Sequence, residues 1–388
     1  MHKQLWLLFF GRLDDEKWFW TILEVLKLFI KNNWTIPFQF YVFGKWKYES
    51  ELLELWQTHK EIHFFGRQPL ETIKKYQENY DFCLMPSSFL ETFWLSALNA
   101  LSMWIPVIGP AKWWLNQFIP DKYDILRSEW QNDKEKLYCK LIWIIKDFNE
   151  WKINIESERH TAIKTAQNYT TEKRIENIKP IIGKPKKILL VSDFKSKLWW
   201  IETYLYDVQE ILNKNGYEVE IYWTNIPWWK VWKLLKYFWI IFSIWNLVNA
   251  IRLKKKVQEF MPKVIRFNST LRRLGRAPIK AIHDYDAKKI MMYHDLWYFH
   301  PFPSQVTKED MVYTPLNLKN FIKSAKTKNP LKIIAIIRKY WTVCLLKNQL
   351  VKTIDLHTAP SSFMEKIIAD SYQISPENIQ SIPHFIQK

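Results

Sequence analysis

Glycine is scarce in this chain, with 7 residues in 388 against 23 tryptophans, whereas an ordinary chain carries about 7% glycine and far less tryptophan. Left-handed turns and close backbone approaches normally fall to glycine, and here tryptophan stands where such turns are expected. Asn33-Trp34, Gly44-Lys45-Trp46, Leu198-Trp199-Trp200 and Pro227-Trp228-Trp229 all have the surroundings of turns. An indole gains nothing at those places. Taken together, the two residue types amount to an ordinary glycine content. The tryptophans also lack the regular spacing that an aromatic binding face on a helix or strand would need. The pattern implies that the gene writes glycine as UGA and that these codons have been read as tryptophan.

Cysteine is scarce too. Cys83, Cys139 and Cys344 lie far apart without metal-ligand spacing, which argues against a disulfide framework or a zinc site and fits a reducing cytoplasm. The opening MHKQLWLLFFGR enters a strand-like run without the parts of a secretory signal, so no export is expected. The longest apolar stretch, Leu234 to Ile251, is interrupted by Lys236 and Asn246 and falls short of a membrane span, so it reads as an amphipathic helix. The basic run Arg252, Lys254, Lys255 and Lys256 follows it directly. That run is either a solvated helix end or a contact with a membrane surface. A net charge of +18 favours polyanionic partners without choosing among nucleic acid, anionic lipid and phosphorylated substrates.

What is present is alternation. LWLLFFGR, FQFYVFG, IHFFG, DFCLMPS and PVIG read as strands between helix-period segments, as expected of βα repeats around a parallel sheet. The chain then turns helical and polar until Pro180, Gly183 and Pro185, where a domain boundary is expected. A second series follows, with KKILLVSDF, the helix IETYLYDVQEILNKN, YEVEIYW, KVIRFNS, KIMMYHD and TIDLHTAP. The expectation is an α/β protein of two Rossmann-like βαβ domains, residues 1–180 and 181–388. The fingerprint G-x-G-x-x-G does not occur, which speaks against a nicotinamide enzyme.

Several segments carry chemistry. Phe10-Gly11-Arg12 ends a strand and Lys17-Trp18 opens a helix, so two cations stand beside exposed helix amides, a setting suited to a diphosphate. With Trp94 and Trp104 as glycine, Pro86 to Gly109 becomes PSSFLETFGLSALNALSMGIPVIG, and Lys112 to Gln117 becomes KGGLNQ. The same substitution turns Leu198-Trp199-Trp200 into a Gly-Gly loop before a helix bearing Glu202, and Tyr293 to Trp297 into YHDLG.

Read this way, nearly the whole chain resembles the family 4 retaining glycosyltransferases of the GT-B fold. The resemblance implies a donor site at Arg12, Lys17, Glu91, Phe93, Trp94, Leu95, Ser96 and Asn99, with Glu91 meeting sugar hydroxyls. It implies an acceptor site at Trp199, Trp200 and Glu202, and it implies that His294 faces the reaction centre beside Glu91. Two positions depart from the family, which usually has glutamate where Asn99 and Gln117 stand. VIRFNSTLRRL from Val264 and the segment Ala359 to Met364 are similar to acceptor-domain segments.

The implied reaction moves a hexose from a UDP- or GDP-sugar to an envelope glycan or a lipid-linked acceptor with retention of configuration. It requires neither metal nor cofactor, and it would run in the cytoplasm or at the inner face of the membrane, without nucleic acid as partner. A non-catalytic glycan-binding or scaffold remnant is the competing class.

The resemblance also implies a reversed order. Residues 1–180 correspond to the donor-binding half, normally second, and 181–388 to the acceptor-binding half, normally first. Ile382-Pro383-His384-Phe385-Ile386 is similar to the linker that joins them. A circular permutant and a fusion of two transferase fragments both fit. The gene is expected to carry UGA at Trp94, Trp104, Trp199 and Trp200; reading its codons checks this, and UGG at those four positions would refute it.

Overall fold

A computed structural model describes residues 4–15, 17–33, 35–86, 95–111, 117–125, 133–184, 187–193, 200–223, 247–270, 274–299, 317–324 and 327–385. The chain divides into two compact units, the first of residues 1–89, 94–170 and 385–388 and the second of residues 90–93 and 171–384. Both are α/β with parallel sheets, so the expected fold class of two Rossmann-like units is borne out.

In unit 1, strands β1 (Leu5–Phe10), β2 (Phe38–Phe43), β3 (Ile62–Phe64), β4 (Phe82–Leu84) and β5 (Val107–Ile108) form one sheet in the order β3-β2-β1-β4-β5. Every pairing is parallel, with Leu7 opposite Phe40 on one side and Phe82 on the other. Leu5, Leu7, Leu8 and Phe9 are all buried, as a strand covered on both faces demands. Helices α1 (Phe19–Asn33), α2 (Glu49–Thr58), α3 (Leu70–Lys74), α4 (Leu95–Ser102), α5 (Asp133–Asn149) and α6 (Ile155–Ala166) supply the covers. Phe29 of α1 packs edge-on against Phe38 of β2 at 5.5 Å and at a tilt against Tyr138 of α5 at 4.6 Å, tying both helices to the sheet.

Unit 2 opens with α7 (Thr171–Ile182), whose apolar face buries Ile175, Ile178, Ile181 and Ile182. Of the residues expected to punctuate the chain, Pro180 sits within the last turn of α7, where the helix gives up a single amide donor. Gly183, with φ of 70° and its amide donating to Lys179 O at 2.9 Å, closes the helix instead. The six strands β6 (Lys187–Ser192), β7 (Glu218–Trp223), β8 (Val264–Ser269), β9 (Lys288–Met292), β10 (Leu356–Ala359) and β11 (Ile379–Ser381) pair in parallel in the order β11-β10-β9-β8-β6-β7. Between them run α8 (Trp200–Lys214), α9 (Leu247–Phe260), α10 (Arg276–Ala281), α11 (Leu318–Ser324), α12 (Pro330–Thr353) and α13 (Ser362–Tyr372). The start of the amphipathic stretch expected from Leu234 lies outside the described residues; its end forms the first turns of α9.

Helix ends show what the scarce glycines would normally do. After α8, Gly216 (φ 84°) donates to Asn213 O at 3.1 Å and Tyr217 reaches back to Leu212 O at 3.2 Å, a left-handed Schellman turn. The same turn ends α4, where Trp104 (φ 62°) donates to Leu101 O and Ile105 to Ala100 O. It also ends α5, where Trp151 (φ 59°) donates to Phe148 O and Lys152 to Asp147 O. Trp18 (φ 51°) and Trp46 (φ 136°) lie in the same half of backbone space, so among the described residues four of the six non-glycine residues there are tryptophan. A bulky residue in that region is a steric outlier. Burial does not offset the strain, since Trp151 is 72% exposed and Trp46 67% exposed.

Left-handed backbone costs an L-residue roughly 1–2 kcal/mol. Trp151→Gly is therefore expected to stabilise unit 1 by about 1 kcal/mol. Gly216→Ala, whose added Cβ meets nothing within 4 Å, is expected to destabilise unit 2 by about as much. Urea midpoints at constant slope measure both.

Candidate functional site

In open α/β sheets ligands bind beyond the carboxyl ends of the strands, where the strand order reverses. In unit 1 that place lies between β1, which continues into Gly11 and Arg12, and β4, which continues into Met85 and Pro86. Gly11 donates to Phe43 O at 3.0 Å, and Leu13 donates to Lys45 O at 3.1 Å. A Cβ on Gly44 would overlap the carbonyl oxygen of Gly11, so this approach of two backbones requires glycine.

Within the loop, one buried carboxylate organises both expected cations. Asp14 Oδ2 pairs with Arg12 Nη1 at 3.0 Å, while Asp14 Oδ1 accepts the Lys17 amide at 3.0 Å. The Asp14 carbonyl accepts the amide of Phe19, the first residue of α1, at 3.1 Å. Arg12 is exposed and Lys17 half-buried. Leu95, Ser96 and Asn99 lie on α4, which follows β4, and all three are half-buried; Gln117 is exposed. Structure thus brings Arg12 and Lys17 into one loop on β1 and places Leu95, Ser96 and Asn99 on the helix that follows its neighbour β4. Glu91, Phe93 and Trp94 lie outside the described residues.

In unit 2 the strand order reverses between β6 and β8. Buried Asp193, just past β6, accepts the Leu274 amide at 2.7 Å, and the Thr270 amide past β8 donates to the Tyr298 hydroxyl at 3.0 Å. Trp199 lies outside the described residues. Trp200 and Glu202 are in the first turn of α8, but their side chains lie outside the described set. His294 follows β9 and is buried. Its Nε2 faces Asn268 Oδ1 at 3.4 Å, and since Asn268 Nδ2 donates to Arg266 O at 3.2 Å, the oxygen is left to accept a proton from Nε2.

Around His294 stand residues that the sequence did not mark. His384 stacks on it with ring centroids 5.3 Å apart and planes 5° from parallel, and the Tyr204 ring meets both edge-on at 5.1 Å and 4.7 Å. Burial, then the charges of Arg266 and Arg174, push the His294 imidazole well below its usual range. His384 is held low by burial, by His294 and by the same two arginines. Burial would raise the Tyr204 phenol, but Arg174 and Arg266 overcome it and bring the pKa down. The sequence carried no signal for Arg174, which stands in the polar run TEKRIENIK, or for its partnership with Arg266 of VIRFNS. Among the described residues no group of three His, Cys, Asp or Glu side chains comes together, and no described helix is long and apolar enough to cross a membrane.

A histidine neutral when folded but free to protonate when unfolded makes the unfolded state bind more protons in acid, so stability falls as pH drops below about 6.5. His357, which burial brings down to about 4, adds a loss that levels off near that value. Each such histidine contributes a slope of about 1.4 kcal/mol per pH unit at most. Urea unfolding is accordingly expected to show markedly lower stability at pH 5 than at pH 7, and the drop should shrink in His294→Gln.

No curated protein matches the chain. Among solved structures it is similar to the pneumococcal O-GlcNAc transferase GtfA, crystallised with UDP and GlcNAc, at 22% identity over 46% of this chain and 35% of that one, with a TM-score of 0.39. It is similar to the catalytic domain of cholesterol-alpha-glucosyltransferase from Helicobacter pylori at 18% identity over 42% of this chain and 99% of that one (TM-score 0.32). It is similar also to WaaG, a glycosyltransferase involved in lipopolysaccharide biosynthesis, at 18% identity over 43% of each chain (TM-score 0.31). The chain thus spans about a third of the length of the pneumococcal enzyme. Residues 4–147, from β1 to α5, match the family described as glycosyl transferases group 1.

Proposed function

We propose that the chain transfers a hexose from a UDP- or GDP-sugar to a glycan or lipid-linked acceptor with retention of configuration. The observation that carries this reading is the family match over residues 4–147, laid on a β1–α1 loop that fixes Arg12 and Lys17 at the strand-order reversal. On this reading residues 1–180 are the donor-binding half and residues 181–388 the acceptor-binding half. The bond from the anomeric carbon to the diphosphate breaks, and the acceptor hydroxyl bonds to the same carbon from the same face. Its proton passes to a phosphate oxygen of the departing diphosphate. Arg12 and Lys17 stabilise the charge that develops there, while Glu91 and His294 orient the sugar. Phe93, Trp94, Leu95, Ser96 and Asn99 line the donor, and Trp199, Trp200 and Glu202 receive the acceptor.

The reading depends on glycine at positions written as tryptophan. Support comes from Trp104 and Trp151, which occupy the place that Gly216 occupies in the same turn. Extending that identity to Trp94, Trp199 and Trp200 opens the two loops where donor and acceptor approach backbone. A membrane-surface contact of unit 2 fits the start of α9, where Leu247 is 62% and Ile251 70% exposed beside exposed Arg252, Lys254 and Lys255. The second reading, a scaffold that has lost donor binding, is favoured by Asn99 and Gln117, which stand where the family carries glutamates.

The deciding experiment uses the full chain with glycine restored at the tryptophan positions and measures thermal shift and hydrolysis with UDP-glucose, UDP-N-acetylglucosamine and GDP-mannose. One donor is expected to raise the melting temperature and to be hydrolysed slowly, with Arg12→Ala lowering kcat about 10²–10³-fold. Absence of any shift with all three supports the scaffold. In the same preparation, pelleting with anionic but not neutral vesicles is the expected sign of the membrane contact, and equal pelleting with both or neither removes it.

A further inference from the structure

We propose that Arg174 of α7 is a positioning residue for His294, acting through Tyr204 and His384, so that α7 serves the site as well as the packing of unit 2. The inference rests on the reading above only in taking His294 as part of the reaction centre.

The geometry runs through one guanidinium. Arg174 is buried, and its Nη1 donates to Ile382 O at 2.7 Å and to Pro383 O, while its Nη2 donates to the Tyr204 hydroxyl. Arg266 of β8 approaches the same hydroxyl, its Nη2 donating at 3.1 Å. Two donors on one phenol oxygen engage both of its lone pairs and fix the ring's direction. That ring is the one whose edge contacts hold His294 and His384. His384 is also the residue directly after Pro383, so the guanidinium that orients Tyr204 also fixes the backbone from which the stacked imidazole projects.

Packing alone does not explain an arginine here. Ile175, Ile178, Ile181 and Ile182 already bury the apolar face of α7, and a Leu or Met at 174 would extend it without desolvating a charge. Among the described residues neither Arg174 nor Arg266 meets a carboxylate; the shared partner is the phenol. Burying two like charges around one neutral oxygen is costly, and what the arrangement achieves is a defined orientation for two imidazoles in a positive field. Among the described residues the titratable groups close to His294 are Arg174 from α7, Tyr204 from α8, Arg266 from β8 and His384 past β11. The two arginines favour the uncharged ring, which keeps a donor on one nitrogen and an acceptor on the other.

The test is imidazole nitrogen NMR on the full chain, read independently of activity. In the unsubstituted chain both imidazoles are expected to stay neutral from pH 8 to pH 6. In Arg174→Gln both should shift and titrate closer to the ordinary histidine range. Arg174→Lys should restore the low titration, because the charge returns, without restoring the shifts set by the stack, because an ammonium lacks the planar fork that spans two carbonyls and a phenol. Unmoved signals in Arg174→Gln overturn the proposal. Should the Arg174 variants fail to fold, Tyr204→Phe, which removes only the shared oxygen, is expected to move both imidazole signals; unmoved signals there overturn it equally.

Hydrolysis of UDP-glucose supplies the second readout. Arg174→Gln is expected to lower kcat about tenfold with its acid limb moved to higher pH and KM for the donor unchanged. A lower kcat without the NMR change counts against positioning. His294→Ala that hydrolyses at the normal rate refutes the role given to His294 and leaves the NMR result on Arg174 standing.

Discussion

Everything in this molecule hangs on how close one stretch of backbone can come to another at the carboxyl edge of a parallel sheet. In unit 1 the loop leaving β1 is laid against the loop leaving β2, with the Gly11 carbonyl so near Gly44 that a side chain at Gly44 would overlap it. That approach gives the Asp14 loop its shape and hence places Arg12 and Lys17. Where helices end, left-handed residues bring the chain back toward the next strand, as Trp104 does before β5. A side chain at such points stores strain without burying surface, and the positions that bear it here are mostly indoles. The chemistry of the site and the identity of the turn residues are therefore one question.

Most of the architecture was legible in the sequence because parallel strands covered on both faces write themselves as short apolar runs. β1, β2 and β6 stand where LWLLFF, FQFYVF and KILLVS place them, and His294 falls past a strand end as its neighbours KIMMY imply. Pro180 stays inside α7 because a proline in the last turn of a helix costs one amide donor and need not stop the chain. The buried arginines were not legible. Arg174 and the carbonyls it holds are 208 and 209 residues apart, and no local pattern records a partnership of that span. Asp14 was missed for the opposite reason, since acidic residues in a loop before a helix are common and only the structure shows that this one organises both cations.

The two units handle charge in opposite ways. Unit 1 keeps Arg12 at the surface and anchors it with a carboxylate, so the direction of an exposed cation is already set. Unit 2 takes two guanidiniums inside and shares a single neutral oxygen between them, so their field acts on imidazoles and not on solvent. The first arrangement suits an anion that binds and leaves. The second suits groups that must stay in one protonation state while bonds change nearby.

The Arg174 clasp also has a topological meaning. The long segment of unit 2 begins at Thr171 and ends at His384, and one side chain three residues in from its start grips the carbonyls of Ile382 and Pro383 just before its end. Those hydrogen bonds close the segment's two ends on one another across 208 and 209 residues of chain. The first helix and the last residues of unit 2 are thus held to each other directly, and not only through the sheet between them.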